Sequence, residues 1–217
     1  ELQAQDTRIK VYFRSQNGGI VAASNDALAL VSSEFVALLD NDDALHRNAL
    51  KEVASYILAN PSVDYIYTDE DKINQDGEHY EPFLKPKWSP ERFLAQNYCS
   101  HLSVIRTNLI NKVGRFQDGF DGSQDYDLLL RVTEQTRNIV HIPKILYHWR
   151  AVAGSTALAG DNKLYAFTSA TKAVREHLER RSILAEVGFN QTNLMVTVKR
   201  KLTEYPNVSI IIPTCGT

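Results

Sequence analysis

Cysteine is nearly absent from this chain. There are two, Cys99 and Cys215. They lie far apart and follow no metal-ligand spacing, which argues against a disulfide framework and for a reducing compartment. No apolar run reaches the roughly 20 residues that a membrane span needs. Charge of one sign is not in excess either. The formal net charge is -2, so no general pull toward nucleic acid is expected and no nucleic-acid partner is assigned. There is no low-complexity segment and no visible signal peptide. The first residue is Glu1 rather than Met, so the expectation is an excised piece of a longer protein. What remains is ordinary for a soluble globular protein: 217 residues, 43% hydrophobic and 23% charged. That length suits one large domain or one and a half.

The stretch with most information is Phe35-Val36-Ala37-Leu38-Leu39-Asp40-Asn41-Asp42-Asp43. A short continuous apolar run predicts a strand buried on both faces, as in a parallel sheet. Acidic residues at its carboxyl end would sit in the crevice where open α/β sheets bind ligands. Asp40 and Asp42 are two apart, so in a strict strand both project to one side. Their mutual repulsion is relieved by a cation, and hard oxygen ligands suit Mg²⁺ or Mn²⁺. The competing reading is an acidic turn that caps a helix starting near Ala44.

In chain order, Ile9–Phe13 alternates as a strand does, and Asn17-Gly18-Gly19 is a loop open to positive φ. Helical spacing runs over 20–31, the buried strand over 34–39, and an amphipathic helix over 44–58 before the stop at Asn60-Pro61. This is a βαβ unit. Val63–Thr68 is the next strand and ends in Asp69-Glu70-Asp71. Short helices are expected over 91–98 and 108–113, with Gly114 as a C-cap, and a strand over 101–106. A helix follows Gly122-Ser123-Gln124-Asp125-Tyr126-Asp127 with acids in its first turn. Two short strands flank Pro143. A Gly-containing stretch covers 151–160, a long helix 162–181, and a hairpin 184–202. Val208-Ser209-Ile210-Ile211-Ile212-Pro213-Thr214 is a further apolar strand with no chain left to complete its own unit.

Six segments in this order resemble family 2 glycosyltransferases of GT-A fold, nearest to bacterial polysaccharide and O-antigen types that carry two such domains in tandem. They are Asn17-Gly18-Gly19 through Ser24-Asn25, Leu38-Leu39-Asp40-Asn41-Asp42-Asp43, and Tyr67-Thr68-Asp69-Glu70-Asp71-Lys72. Lys87-Trp88-Ser89-Pro90, Gly122 through Arg131, and Leu146-Tyr147-His148-Trp149-Arg150 with Gly154-Ser155-Thr156 complete the set. The resemblance implies an α/β fold with a mixed, mostly parallel sheet flanked by helices. It implies inverting, metal-dependent transfer of a sugar from a nucleotide-sugar donor to a hydroxyl of a saccharide or lipid-linked acceptor, in cell-surface polysaccharide synthesis. Asp40, Asp42 and His148 would hold Mn²⁺ or Mg²⁺ on the donor diphosphate. Asp125 would be the general base, the alternative being that it only stabilises the helix start. The competing reading of His148 is structural, beside Tyr147 and Trp149. Asn17, Gly18, Gly19, Asn25, Asn41 and Ser155 would line the donor site. Asp69, Glu70, Asp71, Trp88 and His101 would face the acceptor, with Trp88 equally readable as packing. The implied location is cytoplasmic, at the inner face of the membrane if the parent associates peripherally.

The pattern departs from the family at both ends. Residues 1–181 would be an incomplete GT-A domain lacking its first strand, helix and second strand; 182–205 a hairpin and linker; and 206–217 the first strand of a following domain. The expectation is that 208–213 fills the apolar slot beside 34–39, in its own chain or by swapping into a second copy. Two other functions stay open: a catalytically silent carbohydrate-binding scaffold, and a haloacid dehalogenase-like phosphotransferase with Asp40 as nucleophile.

Overall fold

The computed structural model describes residues 2–150 and 163–214. Its elements in order are α1 (Leu2–Gln5), α2 (Gly19–Ala29), β1 (Phe35–Ala37), β2 (Ala44–Leu45), α3 (Ala49–Ala59), β3 (Tyr65–Ile73), β4 (His79–Phe83) and α4 (Pro90–Ala95). There follow β5 (Ser103–Arg106), α5 (Thr107–Lys112), α6 (Gln124–Gln135), β6 (Ile139–Arg150), α7 (Lys163–Arg180), β7 (Ala185–Asn190) and β8 (Met195–Arg200).

The main sheet runs β1-β5-β3-β6-β2, with β4 added on β3, and β7-β8 is a separate hairpin. It is a mixed sheet flanked by helices, as the resemblance implies. The parallel component is the long β3–β6 pairing, Tyr65↔Ile139 through Ile73↔Arg150. The other pairings in this sheet are antiparallel, because β5 runs against both of its neighbours and β2 and β4 oppose β6 and β3. The parallel share is therefore smaller than expected.

Tyr65, Tyr67 and Ile66 on β3 are fully buried, with Tyr65 and Tyr67 facing one core cluster and Ile66 the other. That alternation is the period of two that a strand covered on both faces must show. α6 places Leu128, Leu129, Leu130 and Val132 in the larger cluster, where they meet Ala173, Val174 and Leu178 of α7. The hairpin joins the same core through Val196. It is pinned by Phe189 stacked on Phe167 at 4.3 Å and by Arg200 gripping Glu91 at 2.7 and 2.8 Å.

Several sequence expectations change here. Ile9–Phe13 forms no strand, and Val11, Tyr12 and Phe13 are exposed. The run 35–39 is a three-residue edge strand with Leu39 exposed, because β5 is its only described strand partner. The helix expected from Ala44 begins at Ala49, because Ala44–Leu45 pairs with His148 and Tyr147 of β6 instead. The two strands around Pro143 are one strand, β6, irregular where it passes Thr68 and Asp69. Residues 208–212 do not fill the slot beside β1 in this chain. Val208, Ile210, Ile211 and Ile212 are 75–89% exposed and unpaired.

Candidate active site

After β1 the chain turns, with Asp43 N–H donating to the Asp40 carbonyl at 3.3 Å. The strand has ended at Ala37, so its period of two does not extend to the acids. Asp42 and Asn41 stand exposed at the turn. Asp40 and Asp43, not Asp40 and Asp42, converge with His101, their ligand atoms lying within 4.8 Å of one another. Asp43 is held firmly: Tyr147 Oη donates to it at 2.5 Å and the Arg150 backbone N–H at 2.7 Å. Desolvation raises the Asp43 carboxyl above the usual range, only partly offset by those bonds. Asp40 is lowered, chiefly by its hydrogen-bonding neighbour His101.

His101 is stacked on Tyr147, ring centroids 4.6 Å apart. It stands 3.7 Å from Asp40 and 3.4 Å from Glu70. Burial alone would depress the imidazole, but those two carboxylates outweigh it and push it up to about 9. Glu70 also binds the buried Lys85 ammonium at 2.8 Å. Desolvation acts to raise Glu70, and His101 with Lys85 reverses the sign, so its carboxyl is net lowered. His101 Nδ1 is nevertheless a buried atom with no hydrogen bond. Asp40 and Asp43, with the Nε2 edge of His101 3.7 Å from Asp40, make a group whose carboxylate oxygens fit a divalent cation of the Mn²⁺ or Mg²⁺ kind.

Beside His101 lies a cleft of about 570 Å³, lined among others by Glu70, Glu81, Asn97, His101 and Trp149. Asp125 sits at the start of α6, where Gly122 makes the entry turn at φ +74. A Cβ there would stand 2.7 Å from Tyr165, so only glycine fits. Asn97 Nδ2 donates to Asp125 at 2.9 Å. Desolvation raises the Asp125 carboxyl, the positive field of His101 opposing it. Asn97 Oδ1 and Gln124 Oε1 are buried acceptors without a partner. Unpaired buried oxygens flanking a raised carboxyl are places where hydroxyl donors of a ligand bind.

Other predicted site residues are occupied elsewhere. Asp127 is fully buried and tied to Arg131 at 2.5 and 3.0 Å, which makes it structural. Asp69 is buried between His141 at 2.7 Å and the Lys85 backbone N–H at 2.8 Å. Trp88 packs on Phe93 and Tyr98. Asn25 gives both ends of its amide to the Phe116 backbone, at 2.9 and 3.1 Å. Asn17 Oδ1 accepts from Gly19 N–H at 2.9 Å at the start of α2, where Gly19 takes φ +76; a Cβ on Gly18 would meet Arg14 at 2.7 Å. His148 does not turn toward Asp40; its Nδ1 meets Asp71 at 2.5 Å. Ser155 lies outside the described residues. Sequence reasoning missed Asp43, Tyr147, Asn97 and Gln124. Strand alternation over 146–150 was the available signal: it sets Tyr147 and Trp149 on one side and His148 on the other.

The family model described as Glycosyl transferase family 2 matches residues 1–114. The chain is 42% identical, over 97% of its length, to uncharacterized protein y4gI of Sinorhizobium fredii, and covers 24% of that protein. It is 36% identical, over 98% of its length, to the O-antigen biosynthesis protein RfbC of Myxococcus xanthus, and covers 17% of that one. The crystal structure of S. aureus TarS 1-349 in complex with UDP-GlcNAc superposes with a TM-score of 0.58 at 17% identity, over 76% of this chain and 48% of that chain.

Proposed function

The chain belongs to glycosyl transferase family 2, and on that footing we propose that it transfers a sugar, with inversion, from a nucleoside-diphosphate donor to a hydroxyl of a saccharide or lipid-linked acceptor. The O-antigen relative and the UDP-GlcNAc-bound structural neighbour support this donor and setting. The observation that carries it is the desolvated Asp125 carboxyl, hydrogen-bonded to Asn97 of a cleft that His101 also lines, with His101 itself within ion-pair reach of Asp40.

In this reading Asp40 and Asp43 would hold the divalent cation beside His101. The bound cation would neutralise charge developing on the leaving diphosphate. Asn97 and Gln124 orient the acceptor hydroxyl through their free oxygens. Asp125 takes the proton of that hydroxyl as it attacks the sugar carbon opposite the leaving group. Glu70 and Trp149 form the acceptor wall. The phosphotransferase alternative loses its ground, because the family assignment accounts for the acidic turn without a nucleophilic Asp40.

The test is donor binding and transfer with a panel of nucleotide sugars, with Mn²⁺ or Mg²⁺. Asp40→Ala should lose cation-dependent donor binding. Asp125→Asn should keep binding and lose transfer. Transfer by Asp125→Asn at more than about a hundredth of the wild-type rate, or unaltered donor binding by Asp40→Ala, overturns the assignment.

A further inference from the structure

A second constellation lies behind the acidic turn. Along β6, Tyr147 reaches Asp43 while His148 reaches Asp71. The β3–β6 register pairs Asp71 directly with His148, so sheet pairing sets their approach. The β3–β4 hairpin adds His79, whose Nδ1 meets the other Asp71 oxygen at 2.9 Å. The hairpin turn is itself braced, Asn74 Oδ1 accepting from the N–H groups of Asp76 and Glu78 at 3.0 and 2.9 Å. One ligand atom each from Asp71, His79 and His148 falls within a 4.8 Å set. The His79 and His148 rings meet edge to face at 4.5 Å, and His46 approaches His148 at 6.0 Å. Half of the 6 histidines of the chain thus gather at one sheet margin. Asp71 and His148 are buried, and His79 is exposed, so the group has a dry floor and an open mouth.

We propose that Asp71, His79 and His148 form a transition-metal site, of the Zn²⁺ class, separate from the cation site of the acidic turn. Two imidazoles and one carboxylate are the donors such ions take, whereas Mg²⁺ prefers an all-oxygen shell. Three protein ligands leave a fourth position to water or His46. The ligands come from β3, β4 and β6, and His148 is paired across to Ala44 of β2. An ion there crosslinks three strands, the last of which is paired to β2 immediately behind Asp40–Asp43, and its role is to stiffen that turn. The inference does not rest on the glycosyl-transfer reading: Asp71 and His148, which the resemblance set toward the acceptor and the donor cation, have no part in the transfer proposed above.

The test uses the whole chain, stripped with chelator and titrated with Zn²⁺ by calorimetry, with Co²⁺ absorption as the spectroscopic probe. One Zn²⁺ should bind per chain, raise the melting temperature, and give Co²⁺ the visible bands of an imidazole-ligated ion. His79→Ala removes an exposed ligand without touching the core; it should weaken Zn²⁺ at least about tenfold and abolish the thermal shift. Asp40→Ala should leave Zn²⁺ binding as it is. Wild-type affinity in His79→Ala overturns the site. Loss of Zn²⁺ in Asp40→Ala also overturns it, by making one cation site of the two, and would leave the donor-binding test untouched.

Discussion

Asp125 carries a conflict between stability and chemistry. Desolvation raises its carboxyl above the unfolded value of about 3.9. Folding therefore favours the protonated form. The stabilising contribution is complete below the unfolded value and is lost as pH climbs through the higher folded one. At neutral pH the ionised group opposes folding. Asp125→Asn should then melt at a higher temperature than the wild type at pH 7, by calorimetry, while transfer falls by roughly 10²–10⁴-fold. The acid limb of the wild-type kcat/KM profile should lie above that of an ordinary aspartate, since the base must be deprotonated to act. Two residues on, Asp127 is a different case. Its carboxylate is buried against Arg131, and truncating it strands a guanidinium in the core. Asp127→Ala should cost about 3–5 kcal/mol in urea denaturation, with Asp127→Asn less damaging.

At the level of elements, much was legible. Helices α2, α4, α5, α6 and α7 and strand β5 fall close to where periodicity, Pro90 and Gly114 put them, whereas β3 runs five residues past its expected end at Thr68, through the acidic cluster to Ile73. The errors share one cause, which is pairing that periodicity cannot see. Ala44–Leu45 has the composition of a helix start, yet β6 captures it as a strand. Phe35–Leu39 has the composition of a central strand, yet it lies at an edge with one partner. The acidic turn was legible as a site; that Asp43 rather than Asp42 faces His101 was not, because it depends on where the strand stops. The β7–β8 hairpin offers a test of what anchors it. Arg200→Ala removes an exposed ion pair and should change stability by less than about 1 kcal/mol. Val196→Asp puts a charge against Val174 and Leu178 in the core and should cost about 3 kcal/mol or more.

Over the whole molecule, one exposed apolar stretch is the segment before α2, where Ile9, Val11, Tyr12 and Phe13 are uncovered. Tyr12 and Leu30 border a groove of about 460 Å³ beside α2, and Leu39 is exposed at the end of β1. Val208, Ile210, Ile211 and Ile212 are exposed and lie in no strand. An open edge and a free apolar segment are complementary hazards. Deleting 206–217 should leave the melting temperature of the isolated chain unchanged, because its described residues, 206–214, are all exposed, and should reduce self-association in sedimentation. A lowered melting temperature would mean that the segment docks. No helix among the described residues is long and apolar enough to cross a membrane. The run Asp69-Glu70-Asp71 has a longer reach in time than in space. Each acid has its own cation or imidazole: His141, Lys85, and His148 with His79. Mutational drift at these positions is therefore two-sided. An acid lost alone orphans a base, so lineages that change one should be found to have changed its mate.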